Sequence, residues 1–201
     1  MHITIPISFS YLEARYAIPT HFTEFLKGFV VPDLVGRFSL DGRVNSVELI
    51  SDFDYRRIPF GGNKVILNYH SIDNSLDANG VASEILRVRK MQSAVVVQCN
   101  PLFPFVSVDS LARGHVAVES GVATAAVGSL IHKEAVEDRL LAGEYDLGIF
   151  TVYSVEGFRS DPNRLSLPFN AIGLRAIELI GLRNSGDREL FNLILNSGFE
   201  L

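Results

Sequence analysis

Tryptophan is absent from this sequence of 201 residues, and cysteine occurs once, as Cys99. A single thiol cannot form an intramolecular disulfide, so covalent cross-links are excluded as a source of stability. A chain of this length can bury a core large enough to fold without disulfides or a structural metal. The sequence therefore predicts a single domain over residues 1–201, stabilised by its hydrophobic core.

A targeting signal and a long apolar run are also missing. Residues 1–15 lack the basic start, the continuous apolar stretch and the small-residue cleavage site of a signal peptide. The longest weakly polar run, residues 121–131, is too short and too rich in glycine and alanine to cross a bilayer. We therefore expect a cytoplasmic protein without a membrane span.

Basic runs are scarce, and the formal net charge is -5. Arginine and lysine concentrate only at residues 56–57 and 87–90. A dedicated nucleic-acid-binding protein needs clustered basic side chains for its phosphate contacts. The charge pattern therefore makes nucleic acid an unexpected partner.

The motifs of well-known reactions are missing as well. The sequence has no G-x-G-x-x-G, no Walker lysine loop and no G-x-S-x-G. Its 5 histidines form no i, i+4 pair and have no cysteine at zinc spacing. Residues 61–64, the nearest match to a phosphate-binding loop, join two predicted strands and indicate a turn. The sequence thus predicts no cofactor and no metal site.

Turn-forming pairs separate the apolar segments between residues 35 and 72. Asp41-Gly42 lies between GRFSL and RVNSVELI, and Gly61-Gly62 lies between FDYRRIPF and NKVILNYHSI. Such pairs tolerate the positive φ angles of tight hairpin turns. They predict four consecutive antiparallel strands.

Residues 145–182 contain two apolar segments that flank a polar cluster at residues 160–163. This pattern indicates two strands joined by a turn. Both alternating faces of residues 147–155 are apolar, so we expect this strand in the centre of a sheet covered on both sides.

Periodicity and capping residues predict the remaining elements. Residues 2–9 alternate and contain Pro6, which favours an edge strand. Residues 82–91 fit either a strand or a helix, and the strand is favoured. A buried strand is predicted at 94–99, a short strand at 115–119, and helices from Thr20 with Gly28 closing, over 129–142, and from Ser185 or Asp187 to Gly198.

Together these elements predict an α+β fold that is rich in β-structure. The sheets are expected to be mainly antiparallel, in a sandwich or jelly-roll-like arrangement, with two or three peripheral helices. Hairpins in the first third and long strands in the last third favour the sandwich.

Asp52-Phe53-Asp54 follows an apolar run and resembles the Asp-x-Asp metal site of sugar-nucleotide transferases. On a strand, however, Asp52, Asp54 and Arg56 would share one face, which fits a solvated charged surface. The transferase interpretation also needs a parallel nucleotide-binding half before the motif, whereas residues 35–50 are predicted to form a hairpin. The charged surface is therefore the preferred interpretation.

Cys99 ends a predicted buried strand and is a candidate nucleophile, with His115 or His132 as base and Asp109 as orienting acid. No helix start or basic neighbour lies beside Cys99 to lower its pKa. A lone cysteine in an AVVVQC segment is more often a small core residue, which is the preferred interpretation.

Residues 101–105 form a compact apolar segment after this strand. Apolar residues in a loop must be buried beneath it or meet a partner, so the segment either plugs the end of the core or forms an interaction surface. The candidate interaction residues are Pro101, Leu102, Phe103, Pro104 and Phe105.

A hydrophobic fraction of 47% with 14 phenylalanines is high for a monomer with a polar surface. It favours a homo-oligomer or a protein partner that covers apolar surface. The first functional hypothesis is thus a non-catalytic, self-associating assembly protein, such as a viral or phage particle component. The alternatives are a small hydrolase or transferase with its site near Cys99, Asp109 and His115, and an acidic protein-binding module of the immunity or inhibitor kind.

Overall fold

The computed structural model describes residues 1–16, 18–60, 64–69, 95–128, 149–155, 169–182 and 185–197. Within this part of the chain, 7 strands form one sheet in the order β3-β2-β1-β4-β6-β5-β7. The strands are β1 (His2–Ile7), β2 (Ser46–Ser51), β3 (Val65–Tyr69), β4 (Val95–Cys99), β5 (Ala125–Gly128), β6 (Phe150–Ser154) and β7 (Phe169–Ile172).

Helices connect and cover these strands. A single π-helical turn, Leu26–Val30, joins the second helix to the third without a break. Short 3-10 turns occur at Tyr55–Arg57 and Ala176–Leu179. The α-helices are α1 (Phe9–Tyr16), α2 (Thr20–Phe25), α3 (Val31–Leu40), α4 (Val108–Glu119) and α5 (Ser185–Asn196).

The sheet is mixed and mostly parallel. β1 pairs in parallel with β2 and β4, β2 with β3, and β5 with β7. β6 runs antiparallel to both of its neighbours, β4 and β5. The predicted antiparallel sandwich or jelly-roll is therefore wrong, because one sheet with helices packed on it replaces two facing sheets.

The first source of this error lies before β2, where a hairpin was predicted around Asp41-Gly42. Residues 31–40 form a helix, and its stripe Val31, Leu34, Val35 and Phe38 is fully buried. Asp41 ends that helix, so the turn joins a helix to a strand. Because a helix crosses over between β1 and β2, the two strands run parallel.

β1 lies inside the sheet, although Pro6 favoured an edge strand. All of its residues from His2 to Ile7 are buried. β4 pairs only with residues 2–4 of β1, so Pro6 lies beyond the end of that ladder. The proline is therefore compatible with an interior strand.

Two further strand predictions fail for local reasons. Residues 115–119 belong to α4, whose buried positions Leu111, Gly114 and Val118 follow the helical repeat. FDYRRIPF was predicted as a strand, but β2 ends at Ser51 and Tyr55–Arg57 is a 3-10 turn. The predicted neighbours in residues 145–182 are also separated, because β5 lies between β6 and β7.

Several predictions are confirmed. Strands occur at β1, at β4 and within residues 147–155, and helices begin at Thr20 and Ser185, although Gly28 does not end the first of them. No helix in the described part of the chain is long and apolar enough to span a membrane. The predictions for residues 61–63, 82–91, 129–142 and 160–163 lie outside the described residues.

The hydrophobic core lies between one face of the sheet and the helices. Ile3, Ile5 and Ile7 alternate along β1 and are buried in one cluster with side chains of α2, α3, α4 and α5. The members that α1 to α5 contribute to this cluster are Phe9, Leu12, Phe22, Phe25, Val31, Leu34, Val35, Phe38, Leu111, Val118 and Phe191.

Candidate functional site

The sheet has a topological switch point at β1. The chain proceeds from β1 through β2 to β3 on one side and then returns to place β4 on the other side of β1. In open α/β sheets, ligands bind outside the carboxyl ends of the strands at such a point. The candidate site therefore lies where β1 and β4 end, beside Ser8 and Asn100.

Asp52, which follows β2, caps the helix that follows β1. Its Oδ1 accepts a hydrogen bond from the Phe9 N–H at 2.9 Å. Its Oδ2 accepts from the Ser10 N–H at 2.9 Å and from the Ser8 hydroxyl at 3.1 Å. The donors at the start of α1 are thus already bound to a carboxylate, which would repel a phosphate at the same place.

An ammonium group lies beside this cap. Lys27 of the π-helical turn places Nζ at 5.1 Å from the ring centre of Phe9 and at 5.5 Å from that of Phe53. The same Nζ lies 2.7 Å from Oε1 of Glu24. Only 16% of the Lys27 side chain is exposed, so this cation is held near the ends of β1 and β2.

Tyr55 packs beneath the same group of rings. Its ring centre lies 4.8 Å from that of Phe53, and the residue is buried. Its hydroxyl has no hydrogen-bond partner among the described residues. Burial, and then the charges of Asp52 and Glu24, raise the pKa of Tyr55, so the phenol stays neutral.

The two carboxylates of the Asp-x-Asp motif have separate partners in this structure. Asp54 accepts two hydrogen bonds from Arg56, at 2.8 and 2.7 Å, which lower the pKa of its carboxyl to about 2. Asp52 is engaged separately by α1. Among the described residues, no group of three His, Cys, Asp or Glu side chains could hold a metal ion.

A small surface depression adjoins the motif. It is lined by residues of the 53–56 segment and of β3, and it has room for little more than a water molecule. Its lining residues are Leu49, Phe53, Asp54, Tyr55, Arg56, Leu67, Asn68 and Tyr69.

A second polar cluster lies within the sheet, on the face opposite the core. Glu48 of β2 is fully buried. Its Oε2 lies 3.3 Å from Nε2 of His2, and its Oε1 accepts a hydrogen bond from Asn68. These contacts join three neighbouring strands by their side chains as well as by their backbones.

Cys99 ends β4 and is completely buried. Burial raises the pKa of its thiol to about 12, and the charge of Arg37 lowers it only in part. The thiol is therefore protonated at neutral pH, whereas a nucleophilic cysteine must ionise.

The other candidates of the proposed catalytic group have separate partners. Asp109 bonds Arg43 at 2.5 Å, and His115 lies 3.4 Å from Glu119 on the same helix. Burial lowers the pKa of His115, against the opposing effect of Glu119. No described hydrogen bond joins Cys99, Asp109 and His115, and His132 lies outside the described residues, so catalysis by this group stays a prediction.

The apolar segment 101–105 packs against its own chain. The ring of Phe105 lies 5.4 Å from that of Phe191 in α5. Phe103 contacts Gly181, where a Cβ would come within 2.9 Å of the ring. These contacts agree with the alternative of a loop that plugs the core, and an interaction with a partner stays a prediction.

Glu178 is a functional candidate that the sequence did not reveal. It lies in the 3-10 turn after β7 and is fully buried. Burial alone would raise its pKa, but hydrogen bonds from Ser107, Arg175 and Ser110 outweigh burial, and the pKa is lowered. Ser107 is 71 residues away along the chain, so no local pattern could have indicated this contact.

Comparison with known proteins identifies the fold. No family model and no curated protein matches the sequence. The solved structure of a 4-diphosphocytidyl-2C-methyl-D-erythritol synthase from Anaerococcus prevotii is similar over 97% of this chain and 95% of its own, with a TM-score of 0.66 and 12% identity. The fold is shared with cytidylyltransferases.

The solved structures of two 2-C-methyl-D-erythritol 4-phosphate cytidylyltransferases are also similar to this chain. The Francisella tularensis enzyme has a TM-score of 0.60 and 11% identity, with 96% of this chain and 98% of that chain covered. The Thermus thermophilus enzyme has a TM-score of 0.55 and 12% identity, with 97% and 98% covered. Identities this low show a common fold alone.

These findings overturn the hypothesis of a non-catalytic assembly protein such as a virion component. The hypothesis was drawn from the missing reaction motifs and the high hydrophobic fraction, and its virion example from analogy with an antiparallel sandwich, whereas the observed fold is shared with cytidylyltransferase structures. The alternative of a small hydrolase or transferase is compatible with this fold. The transferase interpretation of residues 52–54 required parallel strands before the motif, and β1 and β2, which precede it, do run parallel.

Proposed function

We propose that this protein is a nucleotidyltransferase whose nucleoside triphosphate binds at the carboxyl ends of β1 and β4. The observation that carries the proposal is the sheet order, with its switch point at β1. The similarity to cytidylyltransferases over 97% of the chain supports it. Because those neighbours are cytidylyltransferases, we propose cytidine triphosphate as the first nucleotide to test.

The proposed reaction is a displacement at the α-phosphorus. An oxygen of the acceptor forms a bond to that phosphorus, the bond to the bridging oxygen breaks, and pyrophosphate leaves with the electron pair. Such a step depends mainly on alignment of the reactants and on cationic groups that stabilise the charge of the phosphates.

Lys27 is the cation that we assign to the phosphates. The start of α1 is closed to them by Asp52, so the phosphates must bind beside this helix. Lys27 lies beside the same residues, and its partner Glu24 is 61% exposed, so their ion pair is weakened by solvent. Its short distance to Phe9 places the ammonium next to the end of β1.

The experiment that tests the proposal is pyrophosphate release. The purified protein is incubated with each of the four common nucleoside triphosphates, magnesium chloride and a panel of phosphorylated sugars and polyols. We expect release above the enzyme-free background for one nucleotide, and only when an acceptor is present. Absence of both release and nucleotide binding across the panel would contradict the proposal.

Self-association and a cytoplasmic location remain part of the proposal. Exposed apolar side chains on α5, Leu190 and Leu193, and Phe29 on the π-helical turn support a contact between copies. A cytoplasmic location fits an enzyme that consumes nucleoside triphosphates.

A further inference from the structure

After the edge strand β7, the chain runs back toward the end of β4. Residues 173–182, which we call the strap, contact the loop after β4 although β6 and β5 separate the two strands. The Leu182 N–H donates to the Leu102 carbonyl at 2.7 Å. Arg113 of α4 donates to the Gly173 carbonyl at 2.8 Å. The strap is thus attached to that loop and to the start of α4.

Glu178 joins these three pieces with its two carboxylate oxygens. Oε1 accepts from the Ser107 N–H at 2.9 Å and from the Ser107 hydroxyl at 2.6 Å. Oε2 accepts from the Ser110 hydroxyl at 3.0 Å and from the Arg175 N–H at 2.8 Å. The donors belong to the loop, to α4 and to the strap, so one carboxylate binds all of them.

Burial makes this contact sensitive to small changes. Glu178 is fully buried, and a buried carboxylate is tolerated only when its hydrogen-bonding capacity is filled. The guanidinium of Arg175 adds a charge at 3.6 Å. Loss of one acceptor would leave buried donors on the strap or on the loop without a partner.

We propose that Glu178 is a positioning residue that fixes the loop of residues 100–107 against the strap and thereby sets the shape of the candidate nucleotide site. The loop begins at Asn100, beside the switch point, so its position determines one wall of that site. The link to the nucleotide rests on the proposed function, whereas the attachment of the strap does not.

Glu178→Gln removes one acceptor while it keeps the size of the side chain. The amide has a single oxygen, and its NH2 group would face either Ser107 or Arg175, both of which donate from their backbone N–H. The strap should therefore open more often than in the wild-type protein. Glu189→Gln is the matched control, because Glu189 is exposed on α5.

Amide hydrogen exchange tests the attachment without reference to any activity. In Glu178→Gln we expect exchange at Arg175 and Leu182 to be about tenfold faster, whereas the amides of β1 and β2 keep their protection. Glu189→Gln should exchange as the wild type does. Unchanged exchange on the strap of Glu178→Gln would overturn the inference.

Nucleotide affinity, measured by calorimetry, tests the link to the site. For a wild-type protein that binds cytidine triphosphate, we expect Glu178→Gln to raise the Kd about tenfold and Glu189→Gln to leave it unchanged. Equal affinity of Glu178→Gln and wild type would refute the positioning role. A wild type that binds no nucleotide would refute the proposed function and this role together, while hydrogen exchange would still decide whether the strap is attached by Glu178.

Ser110→Ala provides a second route if Glu178→Gln fails to fold. It removes the hydroxyl that donates to Oε2 and keeps both carboxylate oxygens of Glu178, although the same hydroxyl also accepts from Arg113 at 2.9 Å. We expect a smaller acceleration of exchange at Arg175 than in Glu178→Gln and a smaller loss of nucleotide affinity. Wild-type behaviour in both measurements would count against the proposal.

Discussion

At the scale of single residues, Asp52 decides how the chain leaves β1. Replacement by alanine removes the acceptor for Phe9 and Ser10 N–H groups at the start of α1. Loss of such a cap should lower the free energy of unfolding by about 1–2 kcal/mol. Urea denaturation measures the change. Asp54→Ala is the control, since it breaks an exposed pair with Arg56 and the cap of one short 3-10 turn, and should have a smaller effect.

Because the pKa of the buried Cys99 thiol is raised, we expect the protein to lose stability at alkaline pH. Its pKa is raised from 9.0 to about 12 in the folded protein. The folded state thus favours the protonated thiol, and this contribution is complete below pH 9 and is lost as the pH rises from 9 toward 12. Comparison of unfolding free energies over this range should show a steeper decline for the wild type than for Cys99→Ala. If the unfolding free energies of the two proteins declined in parallel over this pH range, the raised pKa of Cys99 would be contradicted.

Lys27 is the residue on which the proposed phosphate contact depends. Lys27→Met keeps the packing of the aliphatic stem on Phe9 and Phe53 but removes the charge. We expect the Kd for nucleoside triphosphate to rise at least tenfold, a loss typical of a charged hydrogen bond. Lys64→Met is the control, because Lys64 bonds the Asp41 carbonyl, before β2 begins. Equal losses in both variants would contradict the assignment.

At the scale of elements, two helical glycines predict opposite effects. A Cβ at Gly114 of α4 would lie 2.9 Å from Val152, so Gly114→Ala should lower the unfolding free energy by about 1–3 kcal/mol. A Cβ at Gly36 of α3 meets nothing within 4 Å, so Gly36→Ala should raise it by about 0.5–1 kcal/mol. Thermal and urea unfolding measure both changes. Stabilisation by Gly114→Ala would show that α4 does not approach the sheet this closely, and destabilisation by Gly36→Ala would contradict the open space at α3.

Elements with local signals were predictable, and their pairing was not. The signals for some elements lie within a short stretch of sequence: an alternating or β-branched pattern for β1 and β4, and a capping residue with an apolar stripe for the helices at Thr20 and Ser185. As a sequence, Asp41-Gly42 fits a hairpin and a helix-to-strand turn equally well, because aspartate and glycine occur in turns of several types. In the structure Asp41 has φ -72° and ψ 131°, so it does not adopt the positive φ of a tight hairpin turn. Which of the two turns forms depends on whether residues 31–40 are helical. Their apolar positions Val31, Leu34, Val35 and Phe38 follow the helical repeat.

The candidate site was predictable only in part. Asp52 was singled out from its motif, but its partners Ser10 and Phe9 lie 42 and 43 residues away. Those contacts exist only because β1 and β2 are parallel neighbours, so an antiparallel prediction could not place them. Glu178 has no motif and depends wholly on tertiary contacts.

At the scale of the whole molecule, the exposed apolar side chains predict association between copies. Leu193 and Phe29 are 68% and 66% exposed. Burial of such side chains would stabilise a dimer. Light scattering over a range of concentrations should give twice the monomer mass, and Leu193→Glu should reduce it to that of one chain. A monomer at every concentration would contradict this prediction.

The most direct test of the account is the location of nucleotide binding. Amide resonances of the isotope-labelled protein are recorded during titration with cytidine triphosphate and magnesium chloride. The account predicts saturable shifts that are largest at residues 8–11 and 100–103, where β1 and β4 end. No shift at saturating nucleotide would contradict a nucleotide site at the switch point. So would shifts confined to the opposite ends of the strands, near Ser46 and Val95.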